Sequence, residues 1–587
     1  MPSASNFVVL LLLHLLVINF AAPSYSLCPN KCTCDDSIFS VECKDSPQLD
    51  FVPITLNPSI VELHLPRNNI KSIASALTFY RNLLFLDLSS NVLTSLGESN
   101  FASQKSLRVL IVSGNRISSL EDGAFLGLES LRTLSLSGNK IRSLPPKAFS
   151  SLKFLEKLDL SHNDLTPELI HPNVFDSRGI SSHLRNLDLS HNRINFIPKK
   201  LFSRLKNLSS LNLGFNSIGK SGFLSSNDAA EEECLEGILR NNSFVHLSSL
   251  TDLNLESNQL ETLESHAFYG LQDSLENLDL SFNHLEAVPS IALSMLTRLS
   301  SITLSRNRIV VLNDNCLTGL LNLKTFILKN DDNLKAIEVD AFESNPLLER
   351  VSIEFCPNIK QVHEETFILQ RESSLKQVSL RANGLTSLPR HLFSWTSLVS
   401  LDIRGNPFDC SDGCFTDWLS RLISGNSSNN RSNNLMTNNI IPEEFTREIL
   451  CHDPLELRGH EVASLTEEEL SNTNKEACSS NSEDIDNNYI TQNGNDLYVS
   501  ESRRQLSIVS GTANKNSSSP SSFSWLITFA IISALISACV VCFLFLSWRR
   551  RRTEFLTEMR LKEYFSNNSR QLVLQYHYYP SYAREEG

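Results

Sequence analysis

Asp87, Asp159, Asp188, Asp279 and Asp402 occupy one outward position in copies of a leucine-rich pattern, and His162 and His191 follow at another. Asp159, His162, Asp188 and His191 come from neighbouring copies, a spacing that would bring them to one patch. Carboxylates beside imidazoles suit two chemistries, divalent-metal binding and proton transfer. The plainer reading is that L-D-L-S-x-N recurs with the pattern itself, so Asp and His repeat without a task. The chain contains no G-x-S-x-G, no phosphate-binding Gly-rich loop, no H-E-x-x-H and no dinucleotide fingerprint. It is read as non-enzymatic, with no catalytic residue, metal site or cofactor.

The elements that would position these residues come from the pattern L-x-x-L-x-L-x-x-N-x-L. Its Asn recurs at 68, 91, 115, 139, 163, 192, 216, 258, 283, 307, 333, 358, 383 and 406, and eleven of the thirteen steps are 23 to 26 residues. The x-L-x-L-x core alternates with period two, so each copy predicts a short strand with Leu inward and variable residues outward. One copy cannot bury its own Leu face, whereas stacked copies share a parallel sheet. The spacing therefore predicts an α/β solenoid of about 14 repeats over 60–405. Asn is expected to serve backbone groups where the chain leaves the strand. A second column, Phe101, Phe125, Phe149, Phe175, Phe202, Phe244, Phe268, Phe342, Phe367 and Phe393, predicts an aromatic spine on the outer side. The step from Asn216 to Asn258 carries an acidic insertion centred on 220–240, including Glu231, Glu232, Glu233 and Cys234. Phe85, Phe215, Phe282 and Phe355 fall at variable strand positions and are, with Asp159 and Asp188, the candidate ligand-binding residues.

The ends of the 587-residue chain set its context. Residues 1–26 read as a secretory signal around a short apolar run. Residues 525–548 are uncharged and apolar, with Trp525 and Trp548 at the ends and Arg549, Arg550, Arg551 and Arg552 directly after. At ~1.5 Å per residue such a helix reaches across a ~30 Å hydrocarbon core, with the Arg cluster holding that side in the cytoplasm. This order predicts a single-pass type I plasma-membrane protein, with its N-terminus outside, a flexible stalk at 479–524 and a cytoplasmic tail at 549–587. The tail holds eight Lys/Arg against five Asp/Glu, so of the formal charge of −13 the rest of the chain carries −16. Such an acidic bulk argues against nucleic acid as the partner. Acceptors for N-glycosylation are Asn207, Asn241, Asn426, Asn430 and Asn516. Small residues four apart in 525–548, and Cys234 in the insertion, are two routes to a weak dimer. Cys316 and Cys356 read as buried small hydrophobes.

Cys28, Cys32, Cys34 and Cys43 precede the repeats, and Cys410, Cys414, Cys451 and Cys478 follow them. With this bracketing the chain resembles the extracellular leucine-rich-repeat proteins, whose single-pass transmembrane members carry cysteine-flanked caps, including the tartan and capricious type. The resemblance implies a horseshoe with the parallel sheet on its concave face, an N-terminal cap at 27–59 and a C-terminal cap at 406–478. It also implies pairing of Cys28 with Cys34, Cys32 with Cys43, Cys410 with Cys451, and Cys414 with Cys478. The function it implies is a cell-surface receptor or adhesion protein binding an extracellular protein, or the same protein on another cell, through the concave face. The alternative is an innate-immunity pattern receptor or decoy resembling a Toll-like ectodomain without its signalling domain.

Overall fold

The computed structural model describes residues 28–469 apart from 199, 220–237, 240–242, 368–373, 394, 396, 424–439, 467 and 468. All of these belong to the first of two units, 1–484. The signal at 1–26, the stalk, the apolar segment 525–548 and the tail lie outside the described residues. So do Cys234, Cys478, Asn241, Asn426, Asn430 and Asn516. Among the described residues no helix is long and apolar enough to cross a membrane.

Each x-L-x-L-x core forms a strand of three to five residues, because alternation buries one side-chain row and leaves the other outward. In chain order these are β3 (Glu62–His64), β4 (Phe85–Asp87), β5 (Val109–Ile111), β6 (Thr133–Ser135), β7 (Lys157–Asp159), β8 (Asn186–Asp188) and β9 (Ser210–Asn212). They continue as β10 (Asp252–Asn254), β11 (Asn277–Asp279), β12 (Ser301–Thr303), β13 (Thr325–Lys329), β14 (Arg350–Glu354), β15 (Gln377–Ser379) and β16 (Ser400–Asp402). The N-terminal cap adds β1 (Cys32–Asp35) and β2 (Ser40–Cys43), which closes the edge as an antiparallel hairpin. One 16-stranded sheet results, parallel from β2 onward and ordered as the sequence runs. Register follows the Leu columns: Leu158 lies opposite Leu134 on one side and Leu187 on the other.

The Asn column makes the expected ladder. Asn163 accepts from the Ile141 N–H at 3.0 Å. Its amide donates to the carbonyls of Leu136, Leu160 and Ser161 at 3.0, 3.1 and 3.0 Å. Two members are corrected. The ladder does not run through Asn333 and Asn358; Asp331 and Cys356 stand in their places. Counting three residues on from the paired core residues Phe326/Leu328 and Val351/Ile353 leads to Asp331 and Cys356, both fully buried. Asp331 accepts from the Ile309 N–H at 3.1 Å, and the Cys356 N–H donates to Asn383 at 2.9 Å. Asn358 is exposed and donates to the Asp332 carbonyl.

The Phe column is buried throughout. Phe125, Phe149 and Phe175 stack at 5.9 and 6.3 Å, and Phe342, Phe367 and Phe393 at 5.6 and 5.3 Å. Burying such rings contributes roughly 1.5–3 kcal/mol each. The spine runs on into the C-terminal cap through Trp395 and Trp418, the latter on the helix Gly413–Ile423. Disulfides join Cys28 to Cys34, Cys32 to Cys43 and Cys410 to Cys451, and Cys414 is also disulfide-bonded. Cys316 and Cys356 are free and buried, and burial pushes both thiols up to about 12, so neither supplies a reactive thiolate.

Candidate protein-binding face

Directly before each ladder residue the chain must turn sharply off the strand, and it does so through a left-handed backbone. Gly114, Gly138 and Gly405 meet this demand at φ of 66°, 65° and 71°. Glycine carries no Cβ penalty there, whereas other residues cost ~1–2 kcal/mol. Eleven further units nevertheless place a side chain at this position. Among them are His162, His191, Phe215, Phe282, Arg306 and Phe355, with φ between 51° and 57°. Their N–H groups are satisfied by the next unit: His162 donates to the Ser190 carbonyl at 3.0 Å and Phe282 to that of Ser305 at 2.8 Å. The turn itself does not need a ring, so the rings must be accounted for by what they touch.

His162, His191 and Phe215 touch one another. The imidazoles stack at 3.8 Å and His191 stacks on Phe215 at 4.1 Å. Burial in this stack, with His162 alongside, lowers the His191 pKa to about 4. Asp159 and Asp188 are brought opposite each other by the β7–β8 register. Both carboxylates are engaged locally. Asp159 accepts from the backbone and hydroxyl of Ser161 at 3.0 and 2.7 Å and from the Ser135 hydroxyl at 2.9 Å. Asp188 accepts from the backbone and hydroxyl of Ser190 at 2.9 and 2.6 Å and from Asn212 at 3.1 Å. Burial first, then Asp159, raises the Asp188 pKa. Asp87, Asp279 and Asp402 accept from the backbone two residues on in the same way, so this column ties the turn. Among the described residues no cluster of three or more His, Cys, Asp or Glu could hold a metal ion.

Phe85 is half-buried and lies 4.6 Å from the His64 ring. Phe282 and Phe355 differ from it: 43% and 39% of each is exposed. Each carries a guanidinium from the following unit, Arg306 at 5.1 Å from the Phe282 centroid and Arg381 at 5.7 Å from that of Phe355. The two arginines were not among the sequence candidates. Their signal was a basic residue at the turn of the unit after each exposed Phe.

A leucine-rich-repeat family model, "Leucine rich repeat", matches residues 58–117, 105–165 and 182–221, and "BspA type Leucine rich repeat region (6 copies)" matches 237–349 and 286–421. The chain carries a leucine-rich-repeat solenoid. It is 32% identical to Tsukushi of Gallus gallus, over 41% of this chain and 65% of that protein. It is 28% identical to Toll-like receptor 3 of Boselaphus tragocamelus, over 40% of this chain and 27% of the receptor. The leucine-rich-repeat match thus spans less than two thirds of these relatives' own lengths. Among solved structures, one of the Toll–Spatzle complex of Drosophila is 20% identical, covering 71% of this chain and 58% of that one at a TM-score of 0.46.

Proposed function

We propose that this leucine-rich-repeat protein is a non-enzymatic cell-surface receptor or adhesion protein, single-pass and glycosylated, that binds an extracellular protein ligand through its sheet face. The observation that carries the reading is the placement of Phe282 and Phe355. Each is a large ring held exposed on a left-handed turn where glycine would serve. Exposed rings on a rigid scaffold are the usual anchors of protein interfaces. Cells displaying the full chain, challenged with a panel of extracellular proteins that includes the chain itself, test it. A ligand bound by the wild type and lost on Phe282→Gly with Phe355→Gly is the expected result. A ligand indifferent to both substitutions would contradict it. A second reading, an innate-immunity pattern receptor, draws on the similarity to Toll-like receptor 3. It is separated by adding microbial glycolipids and double-stranded RNA to the same panel.

A further inference from the structure

The two exposed phenylalanines are not simple apolar anchors. Arg306 lies over Phe282 and Arg381 over Phe355, and among the described residues neither arginine has an ion pair. The other cations at these turns are neutralised: Lys329 by Glu354 at 3.0 Å, and Arg404 by Asp402 at 2.8 Å and Glu448 at 3.2 Å. A guanidinium resting on a ring keeps its planar N–H fork unspent and loses little entropy when a carboxylate takes it. Of the acidic residues nearby, Asp279 accepts from the Ser281 N–H, and Glu354 is paired with Lys329 and bonded to Ser352.

The spacing of the pairs adds a second constraint. Phe282 follows β11 and Phe355 follows β14, so the rings are three strand steps apart, or ~14 Å. An extended peptide rises ~3.4 Å per residue with alternate side chains on one face, so positions i and i+4 share a face and lie ~14 Å apart. We propose that the edge from β11 to β15 receives an extended acidic segment of a protein partner, with carboxylates four residues apart seated on Arg306 and Arg381. This deepens the proposed function and rests on it. It also reverses the simplest inference from composition, since an acidic chain here presents two cations without an ion pair, among the described residues, at exposed rings of the turns.

The test uses the purified full chain in detergent and nine-residue fluorescein-labelled Ser/Thr peptides, read by fluorescence anisotropy. One peptide carries two Glu four apart, a second has both replaced by Gln, and a third has its Glu two apart. The first is expected to bind about tenfold more tightly than either of the others, with the advantage shrinking as salt rises. Arg306→Gln with Arg381→Gln should erase the advantage, and Arg→Lys at both should restore only part of it, because charge returns without the fork. Unchanged melting of each variant shows that folding is not the cause. Equal binding of the Glu and Gln peptides, binding by none, or an advantage that survives the double Gln variant would overturn the inference. If the cell-display ligand still depends on Phe282 and Phe355 in that event, the proposed function stands and only its acidic partner class falls.

Discussion

Replacing Asn163 with Ala tests the ladder at the level of single atoms. Four hydrogen bonds are lost, but their consequences are unequal. The Leu136 carbonyl keeps the Asn139 amide at 2.9 Å, the Leu160 carbonyl keeps that of Asn192 at 3.0 Å, and the Ser161 carbonyl keeps the Gly138 N–H at 3.0 Å. Each carbonyl is shared, so none is orphaned. The Ile141 N–H has Asn163 as its partner and no other among the described residues, and it is buried. An unmade buried N–H costs ~1–3 kcal/mol, and losing one partner at each of three carbonyls adds about 1 kcal/mol in all. The variant should therefore lose ~2–4 kcal/mol in urea unfolding, and amide exchange should quicken at Ile141 more than at Ile117, whose partner Asn139 is intact. A loss below ~0.5 kcal/mol, or unchanged protection at Ile141, would contradict the role of Asn163 as the acceptor for the Ile141 N–H.

Other substitutions probe the turns. Phe282→Gly should change stability little, because relief of ~1–2 kcal/mol at a left-handed residue is offset by ~0.5–1 kcal/mol of added chain entropy and ~0.5–1 kcal/mol from the lost contact with Arg306; thermal unfolding reads this. Asp331→Asn should stabilise at neutral pH by ~0.5–1.5 kcal/mol by adding a ladder donor. Burial holds the Asp331 carboxyl above its ordinary 3.8, so the folded state binds the proton more tightly and wild-type stability falls as pH rises through that range. In the Asn variant this contribution to the slope should vanish. His191 has the opposite sign. Its folded pKa is lowered from 6.5 to about 4, so its contribution to stability is complete above the ordinary value and is lost as pH falls through that window. His191→Phe should remove that slope in pH-dependent unfolding and preserve the stack. Arg404→Ala should loosen the C-terminal cap, since Arg404 lies 3.4 Å from the Phe445 centroid and pairs with Asp402 and Glu448. Limited proteolysis within 440–466 reads that change.

The sheet, the ladder and the aromatic spine were legible because each repeats with one period, and a buried column needs the same atoms in every unit. Legibility failed where residue type parted from position. Asn333 and Asn358 carry the ladder's side chain two residues too late, while Asp331 and Cys356 hold its place at the correct distance from the paired core residues. Asp159 and Asp188 have the composition of a site, yet their lone pairs are taken by Ser161, Ser190, Ser135 and Asn212. That use is invisible until the turn is built. Gly114, Gly138 and Gly405 were the readable sign that the residue before the ladder is left-handed. Arg306 over Phe282 and Arg381 over Phe355 join residues 24 and 26 apart in the chain, so only the register of neighbouring units brings them together.

The exposed rings at the turns are proposed to bind a protein. The direct measurement is the affinity of a protein ligand found by cell display for three full chains: wild type, Phe282→Gly with Phe355→Gly, and Tyr269→Ser, an exposed residue outside the sheet. The double variant should lose about tenfold or more at little-changed melting temperature, with Tyr269→Ser close to wild type. Equal affinity of the double variant and the wild type, or a loss confined to Tyr269→Ser, would contradict it.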